Sequence, residues 1–256
     1  MPGGLLQDKI IFLTGGADGI GYECAKAYIN AGARIIVADT NEEALAAFVN
    51  QYGKEHLGIV CDVSNKKDVS SALQKTLEQY GRLDAIHNNA GIAHPAKALH
   101  ETTEEEWDRL MNVNLKSVYF TTLGGLEALK QTRGTILNTS SLVADIGQEI
   151  HAAYSATKGA MNSLTKSMAL DYAKFGIRVN AVCPAGVWTP MLRKWSREQP
   201  DPAAMEAYLD HIHPLGYCPN GDVVADTCVF LLSEKARFIT GCIMPVSGGA
   251  ELGYRK

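Results

Sequence analysis

Short apolar runs rich in β-branched residues alternate along this chain with longer segments of helical period. The runs cover residues 9–14, 34–39, 57–61, 83–88, 135–140, 178–183 and 243–246. Most of the segments between them, such as 19–31 and 66–80, are long enough for a helix that crosses over to the next strand. This repeated strand–helix–strand order predicts an α/β fold, in which a mostly parallel sheet is covered by helices on both faces.

The chain has 256 residues and no linker rich in Pro, Gly or Ser, so residues 1–256 are predicted to form a single domain. Only residues 184–220 break the strand–helix rhythm. This stretch is rich in Pro and contains Met191 and Trp195. Such an insertion more often covers a binding site than builds a core, so we predict a substrate-covering segment. The alternative is a packing or subunit-contact feature.

The charge pattern argues against polyanionic partners. The net charge is −4, and acidic and basic residues are interspersed, so neither nucleic acid nor an anionic membrane is predicted as a partner. Residues 1–10 lack a basic, then apolar, signal peptide, and no apolar run reaches the roughly eighteen residues of a membrane span. A soluble, cytoplasmic protein is therefore expected.

Cysteine and histidine spacing gives no metal signature. The six cysteines form no Cys-x-x-Cys pair and are predicted to be reduced, mostly structural thiols. His211 and His213 lie near Cys218, but their spacing matches no standard zinc site. No metal is therefore predicted.

A glycine-rich turn follows the first strand. Residues 14–21 read TGGADGIG, with Gly15, Gly19 and Gly21 leading into a helix. Glycine permits a tight turn and close backbone approach, and the free N–H groups of a helix N-terminus favour a phosphate. A Walker-type nucleotide site uses the same physics but needs Lys-Ser/Thr, whereas Tyr22 follows here. A dinucleotide site is therefore predicted.

Asp39 ends the second strand at about the distance from the glycines at which an acid binds the ribose 2′-hydroxyl. A 2′-phosphate would lie against this carboxylate, and Thr40 and Asn41 offer no cation to relieve the repulsion. Asp18 adds a second negative charge in the turn. The sequence therefore predicts NAD as cofactor rather than NADP.

Two further short motifs follow strands. Asp62 and Val63 come after the third strand, and residues 88–91, NNAG, come after the fourth. Open α/β sheets bind ligands at the carboxyl ends of their strands. Each motif by itself is also compatible with an ordinary turn.

Ser141, Tyr154 and Lys158 form the candidate catalytic set. Tyr154 and Lys158 are four residues apart, so on a helix they share one face. A phenol has a reference pKa of about 10, and a nearby cation lowers it, which makes Tyr154 a candidate proton carrier. Chance also produces such pairs, and Tyr22 with Lys26 is a second one, but no serine stands thirteen residues before Tyr22.

The order of these motifs resembles that of the short-chain dehydrogenase/reductase family over essentially the whole chain. The resemblance rests on TGGADGIG, Asp39, Asp62-Val63, NNAG, Asn114 in MNVNL, and the Ser141, Tyr154, Lys158 set. It implies a Rossmann-like, doubly wound sheet of seven strands and a nicotinamide cofactor. It also implies a homotetramer or homodimer built through the long helices after the fourth and fifth strands.

The resemblance also implies roles for individual residues. Tyr154 would transfer the proton, Lys158 would stabilise the phenolate and bind the nicotinamide ribose, Ser141 would hold the substrate oxygen, and Asn114 would hold a water. The implied cofactor contacts are Gly15, Asp18, Gly19, Ile20, Gly21, Asp39, Asp62, Val63, Asn89, Ala90, Gly91, Tyr154, Lys158, Pro184, Val187 and Thr189. The family usually has Pro-Gly after the sixth strand, whereas Ala185 separates Pro184 from Gly186 here.

A narrower resemblance concerns the substrate. The stretches 141–148, 187–190, 200–202, 214–216 and 247–254 are similar to those of L-fucose dehydrogenases and a related 17-beta-hydroxysteroid dehydrogenase. We therefore predict an NAD-dependent sugar dehydrogenase of the L-fucose type, with a dehydrogenase of hydroxysteroids or other hydrophobic alcohols as one alternative and a non-catalytic NAD(H) sensor as another. The predicted substrate contacts are His94, Ser141, Gln148, His151, Tyr154 and Trp188.

Overall fold

The computed structural model describes residues 4–253 and contains one seven-stranded sheet. The strands lie in the order β3-β2-β1-β4-β5-β6-β7, and each neighbouring pair runs parallel. Their bounds are β1 Ile10–Thr14, β2 Arg34–Asp39, β3 Leu57–Val60, β4 Ala85–Asn88, β5 Thr135–Thr139, β6 Arg178–Pro184 and β7 Ile243–Val246. The predicted α/β class and parallel sheet are confirmed, and the chain order reverses between β1 and β4, where such sheets bind ligands.

Helices cover both faces of the sheet. They are α1 Gly19–Asn30, α2 Glu42–Tyr52, α3 Lys66–Tyr80, α4 Glu104–Met111, α5 Ser117–Thr132, α6 Ala152–Ala173, α7 Pro190–Arg197, α8 Pro202–His211 and α9 Asp222–Leu232. Successive residues of β1 point to opposite faces, as strand geometry requires. Ile11 and Leu13 pack with α1, α2 and α9, whereas Ile10 and Phe12 pack with α3, α5 and α6.

Residues 184–220 are more regular than their sequence suggested. They contain α7 and α8, each begun by a capping residue followed by proline. Thr189 accepts from the Leu192 N–H at 3.1 Å, and Asp201 accepts from the Ala204 N–H at 3.0 Å. Proline is favoured in the first turn of a helix, so two of the prolines that read as breaks in fact mark helix starts.

The structure also bears on several other predictions from the sequence. All six cysteines are free thiols. Within residues 4–253, no helix combines the length and apolar character needed to cross a membrane. Tyr254, the last residue of the tail resemblance, lies outside the described residues. The grouping of residues 1–256 into one domain stays a prediction.

Candidate active site

The turn after β1 has a backbone that requires glycine. Gly15 has φ +63°, and a Cβ there would lie 2.7 Å from the Cα of Ala90. A Cβ on Gly21 would overlap the carbonyl oxygen of Gly15. The turn is therefore packed directly against the NNAG loop, and its backbone lies open at the start of α1, where a phosphate is favoured.

Two carboxylates fix the geometry of this turn. Asp18 caps α1 by accepting from the Gly19 N–H at 2.7 Å. Asp39, at the end of β2, accepts from the N–H groups of Ala17 and Asn41, each at 3.1 Å. The predicted ribose-binding carboxylate is thus held against the glycine turn by backbone donors.

The predicted cofactor residues that follow β3 and β4 lie at the same edge of the sheet as the glycine turn. Asp62 accepts from both the N–H and the hydroxyl of Ser64, at 2.9 and 2.7 Å, while Val63 is buried. Asn89 donates from Nδ2 to the carbonyl oxygens of Thr14 and Gly15, at 3.2 and 2.9 Å. Asn89 therefore ties the NNAG loop, with Ala90 and Gly91, to the glycine turn.

The segment after β6 borders the start of α1. Pro184 ends β6, Val187 is buried in the core, and a Cβ on Gly19 would lie 3.4 Å from Cγ2 of Thr189. Ile20 also packs against this core. These placements agree with the predicted cofactor contacts, although the contacts themselves stay predictions.

Tyr154 and Lys158 lie in the first two turns of α6. Lys158 Nζ is 5.7 Å from the centre of the Tyr154 ring and donates to the carbonyl oxygen of Thr139 at 2.7 Å. Ser141, after β5, caps a short 3-10 turn, and its side chain lies near enough to Tyr154 to affect the pKa of the phenol. The structure thus brings the three predicted catalytic side chains together.

Burial controls the ionisation of this pair. It raises the pKa of Tyr154, and the Ser141 side chain partly opposes that rise. Burial also lowers the pKa of Lys158 to about 8. Desolvation of the phenol therefore dominates the pKa of Tyr154 in this arrangement, in which the Lys158 ammonium is directed to the Thr139 carbonyl, and the stabilisation of the phenolate by Lys158 stays a prediction.

Asn114 occupies a π-helical turn, Asn112–Lys116, between α4 and α5. Its side chain is buried; Oδ1 accepts from the Ile92 N–H at 2.8 Å, and Nδ2 donates to the Ile92 carbonyl and to the Thr157 hydroxyl at 2.8 and 3.1 Å. π-turns are frequent at functional sites. Asn114 therefore joins the loop after β4 to α6, and its water-holding role stays a prediction.

The predicted substrate residues lie in different surroundings. The His151 ring lies 6.3 Å from that of Tyr154, and its backbone pairs with Lys97 of the loop that contains His94. His94 and Gln148 are exposed. Trp188 differs: Arg193 lies 4.9 Å over its ring, and it lines a cleft of about 360 Å³ with Asp18 and Gly19. Trp188 therefore lies beside the glycine turn.

The second Tyr-x-x-x-Lys pair has structural partners. The hydroxyl of Tyr22 lies 3.2 Å from Gln51 Oε1 and 3.1 Å from the Tyr52 hydroxyl, and Lys26 pairs with Glu23 at 2.7 Å. The Tyr22 contacts join α1 to α2, and the Lys26–Glu23 ion pair lies within α1. They support the interpretation of this pair as a surface feature of α1.

Sequence reasoning missed several polar residues beneath the site. The Thr14 hydroxyl accepts from the N–H groups of Asn89 and Ala90, each at 3.1 Å, and Thr157 receives the Asn114 bond described above. His87 and Thr139 are likewise buried beside Asn89 and Lys158. No spacing rule points to them, because each partner comes from a distant part of the chain.

The residues of this edge fit a dinucleotide. Asp39, at the end of β2, is a carboxylate suited to ribose hydroxyls. The glycine turn at the start of α1 has no room for side chains at Gly15 and Gly21. The buried ammonium of Lys158 lies at the end of β5. The first two are the ribose and pyrophosphate elements of dinucleotide recognition, and contact of Lys158 with the nicotinamide ribose stays a prediction.

Comparison with known proteins gives the same picture. A family model described as "Enoyl-(Acyl carrier protein) reductase" matches residues 15–251. The L-fucose dehydrogenase of Bos taurus is 38% identical over 96% of this chain and 90% of its own. The 2,5-dichloro-2,5-cyclohexadiene-1,4-diol dehydrogenase of Sphingobium indicum is 36% identical over 95% of this chain and 97% of its own.

Solved structures agree. The 3-ketoacyl-(acyl-carrier-protein) reductase of Brucella melitensis, complexed with NADH, has a TM-score of 0.90 and 30% identity over 96% of this chain and 99% of its own. The aldohexose dehydrogenase of Thermoplasma acidophilum has a TM-score of 0.89 and 31% identity over 98% and 97%. With the Ser141, Tyr154, Lys158 arrangement and the glycine turn, these matches show that the chain is an oxidoreductase that belongs to the short-chain dehydrogenase/reductase family.

Proposed function

We propose that this enzyme is an NAD-dependent sugar dehydrogenase that oxidises L-fucose or a similar aldose to its carbonyl product. The observation that carries the proposal is the convergence of Ser141, Tyr154 and Lys158 at the same sheet edge as Asp39 and the glycine turn. The names of the relatives, L-fucose dehydrogenase and aldohexose dehydrogenase, support the sugar substrate. Polar His151 beside Tyr154 suits a hydroxyl-rich ring.

The proposed chemistry divides between cofactor and protein. A bound nicotinamide supplies the hydride acceptor. Tyr154, as phenolate, takes the proton of the substrate hydroxyl, and in the reverse direction the phenol returns it. Ser141 holds the substrate oxygen, where charge develops during the reaction. Lys158 stabilises the phenolate, and its bond to the Thr139 carbonyl fixes the ammonium in place.

The pH dependence follows from the pKa of Tyr154. Oxidation needs the phenolate and reduction needs the phenol. Because burial raises the pKa of Tyr154, the phenol is the main form at neutral pH. We therefore expect sugar oxidation to accelerate as pH rises into the alkaline range and carbonyl reduction to slow. Profiles of kcat/KM in both directions measure this; oxidation that slows steadily with rising pH contradicts the assignment.

The substrate is tested by an NADH-formation screen. L-Fucose, D-arabinose and L-galactose are compared with hydroxysteroids at equal concentration. We expect the aldoses to have the higher kcat/KM, because polar His94, Gln148 and His151 lie on the loops around Tyr154. If a steroid turns over while all three aldoses are inert, the sugar proposal is wrong and the hydroxysteroid alternative replaces it.

We further propose a cytoplasmic homotetramer or homodimer in which residues 184–220 cover the substrate. The helical pair α5 and α6 supports the oligomer: Tyr119 and Leu123 are exposed there, and a groove of about 620 Å³ runs between Tyr119 and Leu164. A second copy covering this face would remove apolar surface from water. The six free thiols fit a reducing compartment.

A further inference from the structure

His87, in β4, is a buried polar residue that no step of the proposed chemistry uses. Its side chain is fully buried. Nδ1 lies 2.9 Å from the Tyr28 hydroxyl of α1, and Nε2 lies 2.9 Å from the Thr139 hydroxyl at the end of β5. A buried imidazole with both nitrogens paired joins α1 to β5 by directional bonds.

The direction of these bonds follows from Asn89. Its Nδ2 faces the carbonyl oxygens of Thr14 and Gly15, so its Oδ1 must face the Thr139 hydroxyl, 3.2 Å away. The Thr139 hydroxyl donates its one proton to Asn89 Oδ1, so it can only accept a hydrogen bond from His87. The neutral His87 ring therefore carries its proton on Nε2, and its Nδ1 accepts from the Tyr28 hydroxyl.

Thr139 is the point where this chain of bonds branches. Its hydroxyl donates to Asn89, which holds the carbonyl of Gly15 in the cofactor turn. Its backbone carbonyl accepts from Lys158 Nζ at 2.7 Å. One residue thus contacts both the support of the glycine turn and the ammonium beside Tyr154. Rotation of the Thr139 side chain would release the first contact, and displacement of the Thr139 backbone would release the second.

We propose that His87, oriented by Tyr28, is a positioning residue that fixes Thr139 and Asn89 and so preorganises the cofactor site. The inference rests on the proposed NAD dependence, since its effect is on the glycine turn and Lys158. His87 acts through Thr139 and touches no reacting atom. Holding the turn and the ammonium in place before binding reduces the ordering cost of binding the dinucleotide.

A metal at this position is the rival explanation for the cluster. The ligand atoms of Cys24, His87 and Cys228 all lie within 4.8 Å of one another. Both nitrogens of His87, however, are already in hydrogen bonds. The pKa of the Cys24 thiol is raised well above its usual value by its interaction with Cys228 and by burial, so the metal-free protein holds Cys24 as a thiol. The hydrogen-bond chain accounts for the burial of His87 without an ion.

The binding test compares four variants for NADH affinity by fluorescence titration. His87→Leu removes both bonds, His87→Gln keeps a donor toward Thr139, and Thr139→Val removes the branching hydroxyl at nearly constant shape. Thr76→Val is the matched control, because its buried hydroxyl donates to the Ala72 carbonyl within α3 at 2.9 Å, away from the site. Circular dichroism and melting temperature establish which variants are folded.

We expect His87→Leu and Thr139→Val to raise the Kd for NADH about tenfold, as the loss of one oriented buried hydrogen bond predicts. His87→Gln should stay within about threefold of the wild type and Thr76→Val should match it, even where melting temperatures fall. If folded Thr139→Val binds NADH like the wild type, the positioning role is wrong. Should His87→Leu fail to fold, Thr139→Val carries the test.

A spectroscopic test does not depend on the cofactor. Nitrogen-15 chemical shifts of histidine-labelled protein distinguish the two neutral tautomers and the charged ring. We expect the ring proton of His87 to lie on Nε2 and to exchange slowly. A proton on Nδ1, or on both nitrogens, overturns the inference. If the wild type itself fails to bind NADH, the proposed function fails, while the tautomer still decides the hydrogen-bond chain.

Discussion

Tyr154→Phe is expected to lower kcat for sugar oxidation by about 10²–10⁴-fold, the usual contribution of a positioned general base. The substitution removes only the hydroxyl oxygen. The ring keeps its neighbours His151 and Lys158, so the fold and the cofactor site should not change. We therefore expect the variant to keep NADH binding, because the glycine turn, Asp39 and the Lys158 bond to the Thr139 carbonyl are unchanged.

The matched control is Tyr22→Phe, which deletes a phenol oxygen from the other Tyr-x-x-x-Lys pair. Its hydroxyl contacts Gln51 and Tyr52 on α2, so the loss should cost some stability and leave kcat near the wild type. Initial rates and NADH titrations of both variants are compared under identical conditions. Activity of Tyr154→Phe within tenfold of the wild type would contradict the assignment of Tyr154 as the proton carrier.

Local pattern was enough to predict the fold. The strand 34–39 and the helix 66–80 were bounded correctly because β-branched runs and helical periodicity are properties of adjacent residues. The parallel sheet followed from the lengths between strands. Gly15 and Gly21 could be assigned to a tight turn from the sequence because only glycine tolerates that backbone and that close approach.

Properties that depend on the folded surroundings were not accessible in the same way. The pKa of Tyr154 is set by burial, which the Tyr154–Lys158 spacing does not encode. The chain from Tyr28 through His87 and Thr139 to Asn89 joins α1, β4, β5 and the loop after β4, and its members have no fixed spacing. α7 and α8 were missed for a different reason: Thr-Pro and Asp-Pro were present as signals, but the prolines were interpreted as breaks.

Asp39→Asn is expected to lower the preference for NAD over NADP, measured as the ratio of their kcat/KM values, by about 10–100-fold. The carboxylate stands against the glycine turn, where a 2′-phosphate would face its negative charge. The substitution removes that charge and keeps the shape. Ala17 and Asn41 donate to different oxygens of Asp39, so the single amide oxygen of asparagine keeps one of these two backbone bonds and the glycine turn stays partly supported.

Asp62→Asn is the matched control, because it neutralises the carboxylate at the end of the next strand along the sheet. Asp62 accepts from Ser64 and is predicted to contact the cofactor away from the 2′-position, so its loss should change the efficiencies with NAD and NADP by similar factors. Charge repulsion at Asp39 predicts that only Asp39→Asn changes the ratio, mainly through a gain with NADP. If both variants leave the ratio unchanged, or if the wild type uses NADP as efficiently as NAD, then Asp39 does not select the cofactor.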